Sequence, residues 1–173
     1  MSMKTWEACE TVSVNGVTLH YTVVGEGRPI VLIHGNGEDH HIFSVEIRHP
    51  GTLGVLAVSG TNLSPSGLIP SFIEEYTALN KAHPDPLVTV MLTEPDISPS
   101  DLESIRIPVL VTAGEHDLIL RSETEKIAAA LPDAALVIVK NEDHGSYIVG
   151  SEIMGNLLLD FLREKNRLES DGL

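Results

Sequence analysis

The stretch from Pro29 to Gly37, PIVLIHGNG, constrains this chain more than any other. Ile30, Val31, Leu32 and Ile33 form an uninterrupted apolar run, the pattern of a strand covered on both faces as in a parallel sheet. His34-Gly35-Asn36-Gly37 follows, a loop whose two glycines reach backbone angles other residues avoid. A glycine loop leading from a strand towards a helix aims free N–H groups at an anion or a developing oxyanion. The same four letters also suit a tight turn with no ligand.

The rest of the chain fits around that strand. Residues 11–14 and 17–24 flank Asn15-Gly16, a hairpin signal, and Val17, Leu19, Tyr21 and Val23 alternate with polar residues. His20 falls on the polar phase and reads as a surface residue. After the glycine loop, residues 40–48 read as a short helix and 53–59 (LGVLAVS) as a second buried strand. Residues 60–104 hold six of the ten prolines, Pro65, Pro70, Pro84, Pro86, Pro95 and Pro99. They read as an excursion from the sheet with one amphipathic helix at 71–79 and a helical turn opened by a Ser100/Glu103 capping box. A third buried strand (107–112, IPVLVT) leads to Gly114-Glu115-His116-Asp117. Ser122 and Glu125 then form a capping box for a helix to residue 131. A last strand (135–139) leads to Glu142-Asp143-His144-Gly145, and a helix over 152–164 buries Ile153, Leu157, Leu158, Phe161 and Leu162. This order predicts one α/β domain over residues 1–173, a mostly parallel sheet of about six strands with an N-terminal antiparallel hairpin and flanking helices.

Composition narrows function. The 173 residues carry a net charge of −14 and no basic cluster, which argues against nucleic acid and anionic membrane surfaces as partners. Aromatic residues make up 4% of the chain, too few for a base-stacking platform. The single cysteine, Cys9, cannot form an internal disulfide, and the N-terminal residues carry no apolar signal core; both suggest a cytoplasmic setting. The expected partner is a small-molecule substrate or ligand, with a homo-oligomer left open.

Ligands of open α/β sheets bind at the carboxyl ends of the strands, where this chain carries HGNG, GEHD and EDHG. A carboxylate after one strand and a histidine after the next suit an acid-oriented imidazole; equally, Asp117 can cap a turn while His144 sits in a solvated loop. A zinc site drawn from His34, His40, His41, His116, Asp117 and His144 lacks the required spacing, because His40 and His41 would point about 100° apart on a helix. No metal and no cofactor is expected.

These segments resemble an α/β-hydrolase. VNGVTLHYTVVGEGRPIVLIHGNGEDHHIF is similar to that family's N-terminal portion, and IPVLVTAGEHDLI and LVIVKNEDHGSYI, followed by LLLDFLRE, are similar to its acid and histidine segments. The resemblance implies that Asp117 is the triad acid and His144 the general base. It also implies that the backbone at Gly35 and Asn36 contributes the oxyanion hole, and that 60–104 is a short lid-like insertion. The implied activity is hydrolysis of an ester or similar small molecule.

One part of the family pattern is missing. No G-x-S-x-G nucleophile elbow occurs, since Ser59, Ser146 and Ser151 all lack glycines at both offsets. HHIFSVEIRHPGTLGVLAVSG joins segments that the family separates by two strands, a helix and the elbow, on the order of 50 residues. Ser44 lies on the shortened crossover helix, and Cys9 precedes the first strand. Ser59, at a strand end, is the best substitute, although such a hydroxyl more simply satisfies a backbone group. No nucleophile is assigned. The expectation is an impaired hydrolase or, as the alternative, a non-catalytic ligand-binding or remnant protein. The strand at residues 30–33 is expected to pair directly with that at 53–59, closing the sheet.

Overall fold

The computed structural model describes residues 10–14, 16–23 and 56–165. The expected strand at 30–33, the HGNG loop, the helix at 40–48 and the closure of the sheet lie outside the described residues.

Strands β1 (Glu10–Val14) and β2 (Val17–Tyr21) pair antiparallel, with Val12 opposite Leu19 and Val14 opposite Val17. Gly16, at φ +80°, supplies the left-handed backbone that a two-residue hairpin turn requires. Alternation puts Val12, Val14, Val17, Leu19 and Tyr21 on one face, yet all ten strand residues are exposed.

The second sheet is parallel in the order β3 (Leu56–Ser59), β4 (Val109–Gly114), β5 (Ala134–Val139). All six residues of the central β4 are buried. Because successive side chains point to opposite faces, its two faces fill two cores. Val109 and Val111 pack with Leu63 and with Ile127 of α4 (Arg121–Ala130). Leu110 packs with Tyr147 and with Met154 and Phe161 of α5 (Ile153–Glu164). The strand begins two residues later than the sequence suggests. Ile107 is exposed, and Pro108, which has no N–H to donate, serves the sheet only through its carbonyl, accepting from Leu56.

Between β3 and β4 lie a 3-10 turn at Pro65–Gly67 and three helices, α1 (Pro70–Ala82), α2 (Pro86–Thr93) and α3 (Pro99–Leu102). Each helix opens on a proline, where a missing N–H costs no helical hydrogen bond. The helix expected at 71–79 runs on to Ala82 and stacks the rings of Phe72 and Tyr76 at 4.2 Å. Helix α2 was not anticipated: Pro84 and Pro86 look like breakers, but Asp85 accepts the Leu87 N–H (2.8 Å) and Pro86 is its first residue. Neither α1 nor α2 buries a residue. The capping box of α3 is Ser98 with Asp101, not Ser100 with Glu103. Helix α4 begins at Arg121 without a side-chain cap, and Glu125 pairs with Arg121 (2.8 Å) rather than with Ser122. Among the described residues no helix is long and apolar enough to cross a membrane.

Candidate active site

Because β3, β4 and β5 are parallel, the loops that follow them share one edge of the sheet. The loop after β4 turns back at once. Asp117 N–H donates to Gly114 O (3.3 Å), while its carboxylate accepts Gly114 N–H (3.1 Å) on Oδ2 and Ile119 N–H (2.9 Å) on Oδ1. The loop after β5 is stitched to it. Glu115 N–H reaches Val139 O, His116 N–H reaches Glu142 O, and Asn141 N–H reaches Glu115 Oε2, each at 2.9 Å. Asn141 takes the left-handed conformation (φ +60°) that asparagine tolerates better than most residues. A side chain at Gly114 would bring a Cβ to 2.5 Å from Glu142 O, so glycine is what lets the two loops meet.

The result is an acid–imidazole pair. His144 Nδ1 lies 2.7 Å from Asp117 Oδ1; the Asp117 side chain is 2% exposed and that of His144 is 42% exposed. Burial by itself raises the pKa of Asp117. The hydrogen bond from His144, the two backbone N–H donors and the attraction of the imidazole together outweigh it, so the carboxyl sits below its ordinary value. An ionised carboxylate only accepts, so Nδ1 carries the proton of the neutral ring. Asp143 brackets the histidine: its Oδ1 accepts Gly145 N–H (3.0 Å) and Ser146 N–H (2.9 Å), and these donors hold its carboxyl below the ordinary value too. Gly60, just past β3 at φ +52°, meets the imidazole from the third strand. A Cβ there would lie 2.6 Å from His144 Cε1.

Tyr147 was not singled out in the sequence. It is fully buried three residues after His144, and its hydroxyl bonds to Ser59 Oγ and, at 3.4 Å, to Thr112 Oγ1. Burial pushes its pKa up. The one available signal was an aromatic residue inside an otherwise polar loop, EDHGSY. Ser59 is therefore engaged by a side chain, not by the backbone group expected for it. Ser146 Oγ accepts Asp143 N–H (2.9 Å) and Ser151 Oγ accepts Ile153 N–H (3.2 Å). Among the described residues none of these three hydroxyls hydrogen-bonds His144. His20 is exposed on β2, and His116 is exposed beside the pair. Gly35, Asn36, Ser44, Cys9, His34, His40 and His41 lie outside the described residues. Among the described residues no three His, Cys, Asp or Glu side chains gather where they could hold a metal ion.

With this geometry in view, residues 90–172 match the model of an α/β-hydrolase family described as TAP-like protein. That match is confined to the C-terminal part of the chain and covers slightly less than half of it. No curated protein matches the chain. Among solved structures it is similar to a thermophilic esterase from Thermogutta terrifontis, at 18% identity over 64% of this chain and 56% of that one (TM-score 0.47). It is also similar to a hydrolase from Oleispira antarctica, at 16% identity over 62% and 55% (TM-score 0.48). A third likeness is to the carboxylesterase CesB from Bacillus subtilis, at 17% identity over 62% and 50% (TM-score 0.45). The chain spans about half the length of these structures.

Proposed function

We propose that the chain carries the acid and base of an ester-hydrolysing centre, with Asp117 orienting His144 as general base, and acts slowly because the usual attacking serine is missing. The observation that supports this is the 2.7 Å contact between a buried carboxylate and a half-exposed imidazole at neighbouring strand ends. The imidazole takes a proton from water as the water oxygen bonds to the ester carbonyl carbon. By the family resemblance, backbone N–H groups at Gly35 and Asn36 would be the donors to the oxyanion so formed. Collapse expels the alcohol oxygen, which takes the proton back from the imidazolium, while Asp117 stays ionised throughout.

The test is turnover of 4-nitrophenyl acetate by the full chain. His144→Ala should reduce the rate over buffer by about 100-fold or to background. Hydrolysis that survives the substitution unchanged contradicts the reading. A second reading, a non-catalytic relative that holds a small ligand, is favoured by the absence of a G-x-S-x-G elbow. It predicts no turnover above buffer for wild type and variant alike.

A further inference from the structure

On the α4 side of the sheet, between β3 and β4 and the root of the 60–108 segment, lies a half-open cavity of about 220 Å³. We propose that it binds a small uncharged hydrocarbon group about the size of a substituted benzene ring. The inference does not rest on the acid–imidazole reading.

The walls set the chemistry. Val58, Leu63, Leu102, Ile105 and Ile127 supply apolar surface, and the lining holds no lysine or arginine. Its polar members are Thr61 and Asn62, and the Asn62 amide nitrogen donates to Ser64 O (2.8 Å). With nothing positive at the wall and a chain charge of −14, a carboxylate-bearing ligand finds no partner there. Size sets the rest. An apolar cavity of about 150 Å³ takes up benzene, so this one has room for a ring with a substituent.

The roof is built to stay open. Leu63 N–H donates to Oε1 of Glu123 (2.9 Å), a carboxylate buried to 6% exposure, and Leu63 O accepts Ile97 N–H (2.9 Å). Glu123 in turn fits against Gly67, where a Cβ would approach its Cγ to 2.6 Å. Leu63 is thus held from both sides, so the cavity does not close by simple collapse of its roof. Thr61, in the wall, follows directly on Gly60, the residue packed on the His144 ring.

The experiment is a methyl NMR titration of the full chain with toluene, and with benzoate as its anionic counterpart. Toluene should shift the methyl resonances of Val58, Leu63 and Ile127 saturably, and benzoate should not. Val58→Phe, which fills the cavity from β3, should weaken toluene binding at least tenfold. Leu102→Trp, which fills it from α3, should do the same and stands in if the strand variant fails to fold. His144→Ala should leave the toluene affinity unchanged whether or not it abolishes ester turnover, so the two readings fail separately. Non-saturable shifts spread over exposed Val90 and Leu136, equal response to benzoate, or affinity untouched by both filling variants would overturn the proposal.

Discussion

Strand β4 and the β1–β2 hairpin are both rich in valine and leucine and meet opposite fates. Every residue of β4 is buried, and every residue of the hairpin strands is exposed. The difference lies in their surroundings. β4 has a parallel neighbour on each side and a helix on each face, so its backbone groups are paired and its side chains fill two cores. Its carboxyl end is therefore rigid, and Asp117 can be pinned there by three donors. In the hairpin, the described cross-strand side-chain bond is the exposed one from Tyr21 Oη to Glu10 (3.0 Å). Alternation specifies a strand, but burial comes only from what packs on it.

Substitutions sharpen the contrast, and the largest effect should come from the residue that locks the histidine loop to both core and sheet. Tyr147→Ala is expected to cost about 3–5 kcal/mol in urea unfolding, and Tyr147→Phe much less. Gly114→Ala forces a Cβ against the 142–143 backbone and should cost about 1–3 kcal/mol while displacing His144. Asp117→Asn should cost about 1–3 kcal/mol at neutral pH. Because the Asp117 carboxyl is depressed in the fold, its stabilisation is fully present above the unfolded value of about 3.9 and is lost as pH falls through the lower folded value. The part of the stability gap between wild type and Asp117→Asn that comes from the ionised Asp117 carboxylate should therefore persist at pH 5 and be lost only in stronger acid. Val12→Thr and Leu19→Thr in the hairpin should each change stability by less than about 0.5 kcal/mol. A large loss there would mean that the hairpin face is covered and would erase the contrast.

The buried half was the legible half. IPVLVT and ALVIV are continuous apolar runs bounded by turn residues, and both are strands within two residues of the expected bounds. The juxtaposition of Asp117 and His144 follows from parallel topology, because adjacent parallel strands end side by side. What escaped notice depends on tertiary contact. The Ser122/Glu125 spacing is a capping box in form, but Arg121 competes for Glu125. Pro86 resembles a breaker until Asp85 is seen to cap it. Gly60, Gly114 and Tyr147 matter through neighbours 28 to 88 residues away in the chain, such as Ser59 for Tyr147, which no local pattern encodes.

The oriented Asp117–His144 pair is the claim on which the functional reading depends, and nitrogen-15 NMR of the histidine side chains tests it most directly. At neutral pH the His144 proton should reside on Nδ1, slow to exchange and far downfield, and Asp117→Asn should abolish that signal. A ring protonated on Nε2 in the neutral wild type, or a spectrum that Asp117→Asn leaves unchanged, would contradict it.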